Sequence, residues 1–203
     1  MGYRHSANEI NEAVIAVALQ HGIAALTYRK VAEHLGISDR MVVYYLPTKA
    51  DLVQSATTAL AASLQQLLAR AFGDEPNSPN GLLAAAWPVF TTPDADRATA
   101  IFLEIVGLAA AATDPYPQIA KAVVADWVDW VAPRVDAPTP AARRQDALGI
   151  IARIEGLLVI RHTLGAHAAK NAARALAIPA HHRNRGKPLS LESDGRTIQR
   201  QAN

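Results

Sequence analysis

Cysteine is absent from this 203-residue chain, which excludes disulfides, thiolate metal sites and cysteine nucleophiles together. Also missing is any apolar run of the roughly 18 residues that a bilayer-spanning helix needs. Residues 1–20 carry neither the basic start nor the cleavage site of a signal peptide. A cytoplasmic protein with no membrane partner is expected. Few segments show the two-residue alternation of strands. There is no glycine-rich phosphate loop, nucleophile elbow or His-Glu-x-x-His spacing, so no enzymatic reading has a motif to stand on. His162, His167, His181 and His182 have no cysteine or nearby acid at ligand spacing, and neither a metal nor a cofactor is expected.

Charge of one sign is scarce as well. The net charge of +2 hides an uneven distribution: residues 1–55 hold five basic and five acidic side chains. Residues 56–169 hold eight basic against eleven acidic, and residues 170–203 seven against two. The basic balance therefore comes from the C-terminal end, and overall charge is no argument for nucleic-acid binding. Pattern has to carry the reading.

What is present is alanine-rich helical periodicity, since half the residues are hydrophobic and alanine both favours helices and lets them approach closely. Punctuation divides the chain into about nine helical stretches. Ser6 with Glu9, and Thr48 with Asp51, have capping-box spacing. Thr92-Pro93, Asp114-Pro115 and Thr139-Pro140 each set an oxygen acceptor before a proline, the residue best tolerated at a first helical position. These signals predict helices ending near Gly22, over Tyr28 to Leu35 and Asp39 to Tyr45, and from Lys49 to near Gly73. Residues 73–81 read as a connector. Further helices are predicted near Leu82 to Phe90, bent or shortened by Pro88, then Asp94 to Ala112, Pro115 to Ala132, Pro140 to Leu164 and His167 to Ala177. The basic stretch 180–203 has no periodicity and reads as a disordered tail.

Function is most legible between Thr27 and Leu46. Two helices that cross at a tight turn need a small residue at the crossing and one tolerant of positive φ at the turn; Ala32 and Gly36 stand at those places. Val31, Leu35, Ile37, Val42 and Tyr45 are spaced to converge inward. That fixes Ser38, Asp39, Arg40, Met41, Val43 and Tyr44 on the outer face of the second helix, the face a helix-turn-helix presents to the major groove. Arg40 suits a guanine edge, Met41 and Val43 thymine methyls, Asp39 a cytosine amine or the helix N-terminus, and Tyr44 a base or phosphate. Thr27, Tyr28 and Arg29 at one helix start, and Lys49 at another, are candidate phosphate contacts.

The same residues resemble the DNA-binding domain of the TetR (tetracycline-repressor) family. The pattern appears as Leu26-Thr27, Val31-Ala32, Gly36-Ile37-Ser38, Tyr44-Tyr45-Leu46 and Lys49 with Leu52, and it covers about the first 60 residues. The later helices agree in number, length and order. Two departures are Val43, where members commonly carry a phosphate-contacting tyrosine, and Leu46, where phenylalanine is usual. Whether Tyr44 or Tyr45 meets DNA stays open. The resemblance implies an all-α fold: a helix-turn-helix domain over 1–55, with the motif at 27–46, then a ligand-sensing and dimerising domain over 56–179. It implies a homodimeric regulator of double-stranded operator DNA, a repressor released by a small apolar or amphipathic effector. The alternative keeps the fold as a small-molecule or protein-binding module without a specific operator.

Within the second domain, Trp87, Phe90, Phe102, Trp127 and Trp130 are candidates either for lining an apolar ligand cavity or for ordinary core. Glu104 and Glu155 interrupt apolar runs; each suits a cationic or hydroxylated ligand, or an ion pair with Arg153 or Arg161. The broad apolar band Ala147, Ile150, Ile151, Ile154, Leu157 and Leu158 is, together with the helix His167 to Ala177, the candidate dimer surface, with Gly149 and Gly156 permitting close approach.

Overall fold

In the computed structural model, residues 6–176 and 178 are described; the predicted tail over 180–203 lies outside them. The order is α1 (Ala7–His21), α2 (Tyr28–Leu35), α3 (Asp39–Tyr45), α4 (Lys49–Phe72), α5 (Pro79–Phe90), α6 (Pro93–Ala110), α7 (Tyr116–Val131), a 3₁₀ turn (Ala132–Arg134), α8 (Pro140–Leu164) and α9 (Ala166–Ala175). Among the described residues the fold is all-α.

Local chemistry sets most of the starts. Ser6 and Thr48 form reciprocal capping boxes with Glu9 and Asp51, satisfying donors that the first turn would leave unpaired. Thr92 and Thr139 accept from the N–H groups of Ala95 and Ala142. Two starts differ from expectation. Helix α5 begins at Pro79, because Ser78 accepts from Gly81 N–H at 3.1 Å; this is one more acceptor-before-proline start, inside the segment read as connector. At α7 the Asp114 side chain does not cap. Pro115 occupies the N-cap position, and Tyr116 N–H donates to the Thr113 carbonyl in a preceding turn. Pro88 sits within α5, which ends soon after it. The connector is tied down: Asn77 exchanges backbone hydrogen bonds with Arg134 and Asp136, both 2.9 Å.

Two hydrophobic clusters organise the chain. The first gathers Ile10, Val14 and Val17 of α1 with Leu26, Val31, Val42 and Leu52, and takes in Ile101 and Ile105 of α6 and Ile119 of α7. The second joins Leu64, Leu82, Phe90, Val128, Ile154 and Leu157 with the inner face of α9. Helix α4 runs unbroken through both: Leu52, Val53 and Ala56 face the first cluster, Leu64 and Leu68 the second. The expected boundary after residue 55 thus falls inside a helix, and no linker separates the two cores. Each fully buried Leu, Ile or Val contributes about 1.5–3 kcal/mol by leaving water, so a helix shared by two cores couples them mechanically.

Candidate nucleic-acid interface and interior cavity

Helix α2 starts where the Thr27 hydroxyl accepts from Lys30 N–H at 3.3 Å. It ends at Gly36, whose φ of 67° and ψ of 34° lie in the left-handed region that glycine adopts without a Cβ penalty. The Gly36 N–H returns to the α2 carbonyls of Ala32 and Glu33, and Ile37 N–H reaches Ala32 at 3.0 Å. With Val31, Ala32 and Val42 buried at the crossing, the turn aims α3 outward. Ser38, Asp39, Arg40, Val43 and Tyr44 are exposed along it and Met41 is half-buried. Tyr44 is 77% exposed, and its ring stands edge-on to Tyr45 at 5.2 Å between centroids. Arg29, on the outer side of α2, pairs with Glu33 at 2.8 Å.

Three expected DNA contacts turn inward instead. Tyr45 is half-buried and packs on the first cluster, as its inward spacing requires. The Tyr28 hydroxyl is buried without a hydrogen-bond partner; burial, and secondarily the Asp51 charge, push its pKa up. Lys49 donates from Nζ to the Leu26 carbonyl, and its partial burial lowers its pKa. That carbonyl lies in the α1–α2 loop, within reach only once α1 and α4 pack side by side. The exposed set that remains is Thr27, Arg29, Ser38, Asp39, Arg40, Val43 and Tyr44, flanked by the half-buried Met41.

Glu104 does not line the interior cavity. From α6 its carboxylate accepts the backbone N–H groups of Ile23 at 2.7 Å and Ala24 at 2.9 Å. A Cβ at Gly22, where φ is 83°, would come within 2.9 Å of the same carboxylate. The loop between α1 and α2 is therefore held from both sides, by Glu104 on its N–H groups and by Lys49 on the Leu26 carbonyl.

Beside this clamp, between α4, α5, α6, α7 and α8, lies an apolar cavity of about 90 Å³. Phe90, Phe102 and Trp127 line it, and so do Thr57, Thr99 and Glu155. Trp87 and Trp130 do not. Trp87 is core, while Trp130 belongs to an outer stack with Trp127 and Phe72, its ring covered by the Arg134 guanidinium 3.7 Å from the centroid. Burial raises the pKa of Glu155. Its expected partners are engaged elsewhere: Arg161 binds Asp96 with both N–H groups, and Arg153 binds Asn80 and the Gly149 carbonyl.

The candidate dimer residues also need correction. Ile150, Ile154, Leu157 and Leu158 are buried in the chain's own core, and Ile151 lines the cavity. The broad apolar band on α8 serves internal packing. The apolar surface that the middle of α8 leaves to solvent is a narrow stripe through Leu148, Ala152, Gly156 and Val159, with Leu148 50% and Val159 47% exposed. The spacing of that stripe was readable, but only the neighbours of α8 decide which of its two apolar sides is covered.

Against known proteins, no family model matches the sequence, and no curated protein matches it either. Solved structures do match. A TetR-family transcriptional regulator from Cytophaga hutchinsonii superposes with a TM-score of 0.65 at 15% identity, over 87% of this chain and 96% of that one. The multidrug binding protein EbrR, complexed with imidazole, gives 0.63 at 19% identity over 90% and 99% of the two chains. EbrR complexed with ethidium gives 0.61 at 23% identity over 84% and 95%. The chain has the fold of the TetR-family transcriptional regulators. Among the described residues no helix is long and apolar enough to cross a membrane.

Proposed function

We propose that this chain is a TetR-family transcriptional regulator that binds operator DNA as a homodimer and releases it when a small molecule occupies the interior cavity. The observation that carries the DNA reading is the outward face of α3, where Arg40, Val43 and Tyr44 are exposed on a helix that the Gly36 turn and the buried Val42 hold at a fixed angle. The face combines a bidentate donor, an apolar contact and a hydroxyl, the three kinds of group that read base edges and phosphates. A neutral domain can use it, because helix N-termini supply part of the positive potential.

Two recognition helices about 34 Å apart meet successive major grooves on one side of a duplex, so the reading requires a dimer. The uncharged α8 stripe of Leu148, Ala152, Gly156 and Val159 supports one: small residues let a second copy approach closely and the flanking aliphatics gain from burial. For release, the supporting feature is α6. The helix lends Thr99, Phe102 and Ile105 to the cavity wall and, on its other side, Glu104 to the α1–α2 loop. An effector that shifts α6 would move that loop and α3 with it, and operator affinity would fall by the ligand's differential affinity for the two arrangements. EbrR, of the same fold, has been solved with ethidium and with imidazole, which supports a ligand-binding role for this cavity. The reading is of a binding protein in the cytoplasm, with no catalytic step.

The test is selection from random duplex DNA, followed by gel retardation at fixed salt with Arg40→Ala and Tyr44→Ala. A palindromic site weakened about tenfold or more by Arg40→Ala, the scale of one lost bidentate base contact, is the expected result. Failure to enrich any site, with binding that simply fades as salt rises, overturns the operator reading and leaves the binding-module alternative.

A further inference from the structure

The wall of the interior cavity is chemically one-sided. Thr57 donates its hydroxyl proton to the carbonyls of Val53 and Gln54, and Thr99 donates to those of Ala95 and Asp96. Thr57 thus offers a ligand an acceptor oxygen, while the Thr99 oxygen also stands 3.1 Å from Nε2 of His162. Glu155 is the one charged side chain in the wall, which holds no lysine, arginine or histidine. No ion pair or hydrogen bond engages its carboxylate among the described residues. Besides the two threonine hydroxyls, whose protons go to backbone carbonyls, the wall's side-chain donor among the described residues is the indole N–H of Trp127. The rest is aliphatic or aromatic, with the rings of Phe90, Phe102 and Trp127 all present.

Each ligand class fares differently here. A carboxylate or phosphate would meet an unpaired negative charge and no cation. A neutral apolar body would fill space but strip further water from the Glu155 carboxylate, which is costly for a charge left unpaired. A cation with an apolar body offsets that cost, pairing its charge with the carboxylate while aromatic faces attract it as well. Glu155 also borders a groove on the outer surface, between α6, α7 and α8, together with Val106, Leu148, Lys121 and Arg144. Arg144 is held there by Asp129, and neither base bonds to Glu155. Glu155 is thus the residue that the surface groove and the interior cavity share.

We infer that the cavity takes a lipophilic organic cation, a compact aromatic or alkyl body whose ammonium-type charge sits against the Glu155 carboxylate. This rests on the effector reading above and names its chemical class. At about 90 Å³ the cavity is smaller than the roughly 300–1,000 Å³ of a drug-sized site. The smallest cations enter with least rearrangement, and bulkier ones must part α6 from α8.

The test uses the full chain without DNA and three probes of one size: benzyltrimethylammonium, benzyl alcohol and benzoate. Binding is followed by tryptophan fluorescence and calorimetry, on wild type and Glu155→Gln. The expected result is saturable binding of the cation to wild type, weakened about tenfold by Glu155→Gln as one desolvated charge contact is lost. Benzyl alcohol should bind the two proteins alike, and benzoate should not prefer wild type. Equal affinity of wild type for cation and alcohol, an unchanged cation affinity in Glu155→Gln, or no binding of the cation each overturns the inference. Thermal unfolding checks that the variant folds; if it does not, the ranking of the three probes on wild type decides. Retardation of the selected operator without ligand is scored separately. Its absence sinks the DNA reading, whereas retardation without preference for the cation sinks only the charge assignment.

Discussion

Replacing Glu104 by alanine removes both acceptors that hold the α1–α2 loop against α6. The carboxylate receives Ile23 N–H at 2.7 Å, part-buried, and Ala24 N–H at 2.9 Å, exposed. A hydrogen bond to a charged group contributes about 1.5–3 kcal/mol when protected. Water can replace the acceptor at Ala24, so its share is close to zero, while Ile23 N–H next to a fully buried side chain loses a partner that water reaches poorly. The loss should be about 2 kcal/mol. At a urea dependence of about 2 kcal/mol per molar, the midpoint falls by roughly 1 M with the slope unchanged. Protein concentration must be held fixed, because the proposed dimerisation would feed into apparent stability. Glu104→Gln keeps a neutral acceptor and should lose about half as much. A Glu104→Ala midpoint within about 0.2 M of wild type would refute the clamp, and with it the route from cavity to loop.

Gly36→Ala has open space for its methyl but must hold φ near 67°, so it should cost about 1 kcal/mol in thermal unfolding; no loss would mean that the turn relaxes. Val159→Glu should give a folded monomer by sedimentation, since the side chain is already 47% exposed, whereas Ile154→Glu should prevent folding; a dimeric Val159→Glu removes the α8 stripe as the interface. The Asp96 carboxyl is held below its usual pKa chiefly by its hydrogen bonds from Arg161, so its stabilisation is complete above the unfolded value of about 3.9 and fades as pH falls through the lower folded value. Asp96→Asn should thus be less stable than wild type at pH 7, with the gap closing in acid; a gap independent of pH would contradict the assignment. Glu155 has the opposite sign: burial raises its pKa, so it weakens the ligand-free fold as pH rises through that value. Glu155→Gln should melt higher than wild type at neutral pH and equal to it below about pH 4, and a lower neutral melting point would show that the carboxylate has a partner.

The helices and the outward face of α3 were legible in the sequence because their causes are local. A threonine before a proline, a serine three residues before a glutamate, or a glycine after an apolar pair acts on neighbours within one turn, so Thr139, Ser6 and Gly36 could be assigned without knowing what lay across the molecule. The outward face of α3 followed by elimination, once Val31, Ala32 and Val42 were set inside. Asp114 shows the limit even locally, since the same acceptor-before-proline pattern that starts α6 and α8 does not start α7.

Tertiary structure alone decided the fates of Lys49, Tyr28, Glu104, Glu155 and the α8 band. A lysine opening a helix has the same local pattern whether it reaches a phosphate or the Leu26 carbonyl. Glu104 and Glu155 both interrupt apolar runs, yet one caps a loop about eighty residues away in sequence and the other faces a cavity. Periodicity tells which residues share a side of a helix, but not which other helix will cover that side. That is decided when five helices close around one space, because burial, and with it the cost of an unpaired charge, belongs to the packed assembly and to no single segment.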